Sequence, residues 1–241
     1  MEKWFVMRKG APFQEIAEKF QIHPILARLI RNRDVIGDEA IQLYLNGTIA
    51  DLYDGMLMKD MDKAVDILLE KIREDKKIRI IGDYDIDGIN STYILLEGIK
   101  YLGGEADIDI PDRMRDGYGL NRNLIDRAFD DDIDTIITCD NGIAAREEVA
   151  YGKSLGMTII VTDHHEIPYE EVESEKQYIL PPADAVIDPK QQTCAYPFKE
   201  LCGAGVAYKV IEALFGACGK DIEDVDYLMA VSYTHLTLPT T

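Results

Sequence analysis

The sequence predicts an α/β fold, a parallel β-sheet flanked by helices, with an N-terminal helical preface. Three observations carry this. Five short runs rich in β-branched residues follow one another from residue 78: "IRIIG", "ADIDI", "TIITC", "TIIVT" and "DAVID". Stretches with helical spacing lie between the first four, and strands that alternate with helices imply a parallel sheet covered on both faces. Residues 11 to 75 carry helix-period apolar spacing instead.

The preface holds "EIAEKFQIHPILARLI" and "MDKAVDILLEKIRED", joined by turn-prone residues such as "YLNGTIADLYDG". After the first strand comes "STYILLEGIKYLGG", after the second "NRNLIDRAF" and after the third "AREEVAYGKSLG"; two of these end in glycine, a frequent helix stop. The expected division is a helical region over 1–77, an α/β domain over 78–231 and a foreign tail over 232–241. That last stretch, "SYTHLTLPTT", has no Asp, Glu, Lys or Arg, unlike the chain before it. The acid-rich "FDDDIDT" and "YEEVESEKQY" read as solvated surface with no further role.

At 241 residues and 46% hydrophobic, the chain is large and apolar enough to build a real core. It has neither an apolar run of membrane-spanning length nor a signal-peptide pattern, so a cytoplasmic location is expected. Cys139, Cys194, Cys202 and Cys218 form no C-x-x-C pair, which leaves a disulfide framework or structural zinc unsupported and suggests reduced, buried thiols. A formal charge of −19 argues against broad attraction to nucleic acid, so a polyanionic substrate needs a local basic channel or bound cations.

The stretch "GDYDIDG" ends the first strand and places Asp83, Asp85 and Asp87 at alternate positions before Gly88. A calcium loop of the EF-hand type fits its first ligands and its glycine. It fails at the twelfth position, which is Ile94, and in its context, since a strand precedes it where an EF-hand has a helix. A phosphatase-type Asp-x-Asp suits the strand but leaves two later motifs unexplained. "TIITCDNG" puts Asp140 and Asn141 just beyond the third strand, and "TIIVTDHH" puts Asp163, His164 and His165 beyond the fourth.

Three strands thus deliver metal-type ligands at their carboxyl ends, the edge where open α/β sheets bind ligands. The spacings of 53 residues from Asp87 to Asp140 and 24 from Asp140 to His164 suit intervening βα units. Carboxylates with imidazole make a hard oxygen and nitrogen site that favours manganese or magnesium. Several carboxylates in one pocket repel strongly unless cations neutralise them, and a pair of divalent ions meets that need.

In this order "GDYDIDG", "CDNG" and "DHH" resemble the first three motifs of the DHH phosphoesterase superfamily. "PDRMRDGYGLN", "DAVIDPKQ", "LCGAGVAYKV" and the preface "LYDGMLMKDMDKAVDIL" resemble its RecJ branch, single-strand-specific exonucleases that degrade DNA from the 5′ end. The likeness runs from about residue 10 to 231.

The resemblance implies a two-metal phosphodiesterase using Mn²⁺ or Mg²⁺, active on single-stranded DNA in repair and recombination, with single-strand-binding protein and a helicase as partners. By motif, Asp85 and Asp87 are expected metal ligands with Asp83 beside them, Asp140 bridges the ions and His164 ligates one. His165 is expected at the scissile phosphate, helping to protonate the leaving oxygen, and Asn141 among the substrate-binding residues. Gly88 is expected to let the backbone turn sharply, and a helix from near Asn90 to present its N-terminus to phosphate. Arg113 and Arg115 are candidates for DNA phosphates and Tyr118 for base stacking, with an ordinary polar loop as the competing reading. The glycines of "LCGAGVAYKV" suit either a phosphate cradle or close helix packing.

Two further functions stay open: hydrolysis of short oligoribonucleotides or cyclic dinucleotides by the same chemistry, and a non-catalytic scaffold. One departure stands out. The superfamily's fourth motif supplies another aspartate shortly after a helix like "DYLMAV", and "SYTHLTLPTT" contains none. Weak Mn²⁺ binding and little nuclease activity are therefore expected of the 241 residues on their own.

Overall fold

A computed structural model describes residues 9–114, 117, 119–172, 175–225 and 227–229. Contacts divide the chain into two compact units, 1–52 and 53–241. The first holds α1 (Phe13–Phe20), α2 (Pro24–Asn32) and α3 (Asp38–Asn46), with α1 packed on α2. Pro24 opens α2 at its first position, where a missing N–H does no harm, and His23 Nδ1 accepts from the Ile25 amide at 3.2 Å.

The second unit begins ahead of the expected boundary at residue 77. Its first helix, α4 (Met61–Arg73), buries Met61, Ala64, Val65 and Leu68, a stripe at helical spacing. That stripe packs on α8 (Gly203–Ala217) and on the fifth strand of the sheet, so "MDKAVDILLEKIRED" is part of the α/β core.

The elements that follow are β1 (Ile78–Gly82), α5 (Ile86–Tyr101), β2 (Ala106–Asp109), α6 (Arg122–Asp130), β3 (Thr135–Cys139), α7 (Arg146–Ser154), β4 (Thr158–Thr162), β5 (Tyr169–Val172), β6 (Glu175–Tyr178) and β7 (Ala185–Ile187). The expected runs pair as one parallel sheet in the order β2-β1-β3-β4-β7. Alternate side chains serve opposite faces. Ile80, Ile137, Ile160 and Ile187 join the core under α4, α5 and α8, whereas Ile81, Ile136, Ile159 and Val186 join the core with Leu124, Ile125 and Val149 of α6 and α7. Helices α5 and α8 approach closely because Gly98 has no side chain; a Cβ there would stand 2.6 Å from Ile211 Cγ2.

The chain leaves β1 outward to β2, then returns across β1 to β3, so the connections diverge between β1 and β3. Such a switch point leaves a crevice at the carboxyl ends of the strands. The acid-rich "YEEVESEKQY" is not plain loop: β5 and β6 form an antiparallel hairpin in which Tyr169 faces Tyr178. Cross-strand pairs hold it, and its described strand residues are exposed, so it left no apolar pattern to read.

Helix α5 starts at Ile86, earlier than expected, with Asp85 as its N-cap. Cys139 and Cys194 are buried thiols as expected, but Cys202 is half-buried and Cys218 exposed. Among the described residues no helix is long and apolar enough to cross a membrane. The expected tail over 232–241 lies outside the described residues.

Candidate metal centre

At the tip of β1 the strand hands directly to α5. Asp85 Oδ1 accepts from the amides of Asp87 at 2.8 Å and Gly88 at 3.0 Å, satisfying two of the helix's open N–H groups. Asp87 therefore sits in the first turn, 8% exposed. Gly88 is helical, so it serves close approach instead of the expected sharp turn: a Cβ there would meet the Asp83 amide nitrogen at 2.6 Å. Asp83 is buried beneath this crossing, and its Oδ1 has no hydrogen-bond partner.

The tip of β3 turns through Asp140, whose φ of +59° lies in the left-handed region that side chains other than glycine seldom adopt. Gly142 follows at φ +110°, where a Cβ would also meet Thr138 Oγ1 at 2.5 Å. Between them Asn141 turns inward. Its Nδ2 donates to Ile81 O at 3.0 Å and Cys139 O at 2.9 Å, and its Oδ1 accepts from the Leu120 amide at 3.2 Å. This buried amide clamps the ends of β1 and β3 together, a structural task beside the expected substrate contact.

The tip of β4 carries Asp163, 1% exposed. Its carboxylate accepts from the amides of Ile143, His164 and His165 at 2.9, 2.7 and 3.2 Å, and His165 Nδ1 lies 2.7 Å from Oδ1. Burial alone would raise its pKa, but the imidazole and the amides outweigh burial and hold it below the usual carboxylate range. Sequence reasoning set Asp163 at the strand end with the histidines but gave it no role of its own, although its place before them marked it as the group that orients them.

Helix α8 closes the crevice with its N-terminus. The Gly203 and Ala204 amides donate to Asp87 Oδ2 and Oδ1, each at 2.7 Å, and a Cβ on Gly203 would stand 2.8 Å from Asp140 Cβ. The glycine-rich start of α8 thus cradles a carboxylate of the chain itself and packs tightly on another.

Around this cradle the ligand-type atoms converge. Oxygens of Asp83, Asp85 and Asp140 come together within 4.8 Å of one another, and so do ligand atoms of Asp140, His164 and His165. Asp140 belongs to both groups. His164 Nε2 is 2.9 Å from Asp140 Oδ1 and 3.5 Å from Asp87 Oδ2.

The local field is strongly negative. Burial, joined by the charges of Asp87 and Asp85 and opposed by His164, pushes the Asp140 pKa up to about 6. Burial and the neighbouring Asp85 raise Asp83 as well. The hydrogen bond to Asp140 raises His164, and the Asp163 hydrogen bond raises His165 to about 9. Oxygen-rich groups with imidazole, one buried oxygen without a partner and a surplus of negative charge fit hard divalent cations such as Mn²⁺ or Mg²⁺.

Residues 77–233 match the DHH family, N-terminal domain. The chain belongs to the DHH family. Within it, the sequence is 39% identical over 228 residues to the single-stranded-DNA-specific exonuclease RecJ of Bacillus subtilis, covering 92% of this chain and 27% of that protein. RecJ of Escherichia coli is 34% identical over 195 residues, 80% of this chain and 32% of that one. The chain therefore spans about a third or less of the length of these relatives.

Solved structures agree. Exonuclease RecJ bound to manganese aligns with a TM-score of 0.61 at 32% identity, over 73% of this chain and 43% of that one. RecJ of Thermus thermophilus in complex with Mn²⁺ aligns at 0.66 with 27% identity, over 92% of this chain and 30% of that one.

The DHH motifs account for most of the expected site residues. Asp83, Asp85, Asp140, His164 and His165 stand in the two converging groups. Asp87 is adjacent but outside both, its oxygens held by the α8 amides. Arg113 is exposed, with its guanidinium 5.5 Å from the ring of Tyr84, next to Asp83. Arg115 and Tyr118 lie outside the described residues.

Proposed function

We propose that this DHH chain carries the metal centre of a divalent-cation-dependent phosphodiesterase that hydrolyses single-stranded DNA, an exonuclease of RecJ type. The membership of Asp140 in both converging groups carries the reading, because one shared carboxylate is what a pair of neighbouring cations requires. Asp83, Asp85 and Asp140 would hold one cation, and Asp140 with His164 would hold the second. When bound, such ions supply Lewis acidity and offset the charge that gathers on a phosphodiester during in-line displacement by water.

The chain's own groups do the rest. Asp87 sets the ring of His164 and fixes α8 against the site through the Gly203 and Ala204 amides. Asp163 holds His165 through Nδ1, and the imidazole so oriented would carry a proton toward the leaving oxygen of the scissile bond. The raised pKa of His165, about 9, keeps that proton in place at neutral pH. Arg113, poised over Tyr84, gives a local positive contact for a DNA phosphate in an otherwise acidic chain.

The relatives' names support single-stranded DNA as substrate, and a part in repair and recombination belongs to the same proposal. The test is digestion of a 5′-phosphorylated single strand with Mn²⁺ or EDTA, using the wild type, Asp140→Ala and a dinucleotide control. The expected result is slow release of nucleotides from DNA that needs Mn²⁺ and falls at least about a hundredfold in Asp140→Ala. Cleavage that persists in EDTA, or confined to the dinucleotide, contradicts it.

A further inference from the structure

Strand β7 lies beside β4 and ends in an acid that none of the roles above uses. The Asp163 amide donates to Ile187 O at 3.0 Å, so Asp163 and Asp188 leave neighbouring parallel strands at the same level. Asp188 is fully buried. Its Oδ1 accepts from the Lys190 amide at 2.7 Å, while Oδ2 has no hydrogen-bond partner. The nearby ammonium of Lys190 is engaged 2.8 Å from Glu166. Gln191, also buried, likewise leaves Oε1 without a partner while its Nε2 donates to Val186 O at 2.6 Å.

A buried carboxylate at the strand tip beside a second one, with its nearest cation Lys190 drawn to Glu166, is unfavourable unless something neutralises it. Burial and the Asp163 charge push the Asp188 pKa up to about 7, against the Lys190 amide and the charges of His164 and Lys190. The strand register, with the Asp163 amide on Ile187 O, sets Asp188 beside the acid that holds His165. Among the described residues Asp188 belongs to neither converging group, so it stands beside the centre and not within it.

We propose that Asp188 is a positioning residue of the metal centre: its buried charge and its open Oδ2 would strengthen the hold on a divalent cation at the Asp140–His164 side from behind the direct ligands. The inference rests on the metal-centre reading and extends it to the fourth strand tip. Acceptors of this kind behind a metal's direct ligands tune affinity by one to two orders of magnitude.

The experiment is calorimetric titration with Mn²⁺, together with melting curves in EDTA and in Mn²⁺, for the wild type, Asp188→Asn and Asp188→Ala. Both variants are expected to weaken Mn²⁺ binding by roughly 10- to 100-fold. Asp188→Asn is also expected to melt higher than wild type in EDTA, because a buried charge is gone, and to gain less from Mn²⁺. A merely structural carboxylate predicts the opposite in EDTA. Wild-type affinity in both variants, or a lower melting point or loss of folding of Asp188→Asn in EDTA, overturns the inference while the metal centre stands. Failure of the wild type itself to take up Mn²⁺ removes both.

Discussion

The amide of Gly203 donates to Asp87 Oδ2 at 2.7 Å, joining residues 116 positions apart, and Ala204 does the same for Oδ1. Through this contact the first turn of α5 and the first turn of α8 share one carboxylate, so the metal centre is framed before any cation arrives. Asp87→Ala removes two charge-assisted bonds to buried amides and is expected to destabilise the chain by about 2–4 kcal/mol in EDTA. Urea unfolding in EDTA measures it. Asp85→Ala, which loses only an exposed N-cap, is expected to cost about 1 kcal/mol in the same assay.

Glycine substitutions separate close approach from helix propensity. Gly88→Ala drives a methyl group against the Asp83 backbone and is expected to cost about 2–4 kcal/mol, because backbone cannot swing aside as a side chain can. Gly216→Ala, within α8 and with nothing near its Cβ position, is expected to stabilise by up to about 1 kcal/mol. Melting temperatures moving in opposite directions would bear this out.

The clamp at Asn141 gives a sharper test of position than of chemistry. Asn141→Ala leaves the carbonyls of Ile81 and Cys139 and the Leu120 amide without their partner, an expected loss of about 2–4 kcal/mol. Asn141→Asp is expected to be at least as damaging, since a carboxylate would face two carbonyl oxygens. Unfolding in EDTA distinguishes this from a residue that only touches substrate, whose loss would leave stability unchanged.

Stability without metal should fall as pH rises. Asp140 and Asp188 have folded pKa values of about 6 and about 7, above their ordinary 3.8. Below the ordinary value both folded and unfolded chains keep these protons, so nothing is lost there. Stability then declines as pH climbs toward the folded values, where the fold must hold anions it disfavours. The gain from His165, raised to about 9, is complete below its ordinary 6.5 and fades as pH rises through 9, in the same direction. From pH 5 to pH 8 in EDTA the melting temperature is expected to drop by about 5–10 °C, and Mn²⁺ to flatten the trend.

The sheet was legible because each strand is a β-branched run with a helical segment after it, and the five runs pair in parallel as expected. The motifs were legible because ligand-type side chains at strand ends have few other uses. What escaped depends on distant contacts. Nothing local in "GDYDIDG" shows that Asp87 is held by amides 116 positions away, or that Gly88 passes against Asp83. The clamp made by Asn141 escaped because a buried amide and an exposed one read alike. Asp188 stood in the quoted "DAVIDPKQ" but received no role, because the sequence does not show that its Oδ2 lacks a partner. The packing of α4 on the sheet also escaped, because its apolar stripe says that the helix is buried, not against what.

The most direct test of the central claim, that the strand-tip acids and imidazoles form one divalent-cation centre shared through Asp140, is a Mn²⁺ titration followed by melting temperature for the wild type and Asp140→Ala at pH 8. The expected result is a saturable rise in the wild type, weak enough to need millimolar Mn²⁺, and none in Asp140→Ala. Equal responses in the two proteins, or no rise in the wild type at saturating Mn²⁺, contradict it.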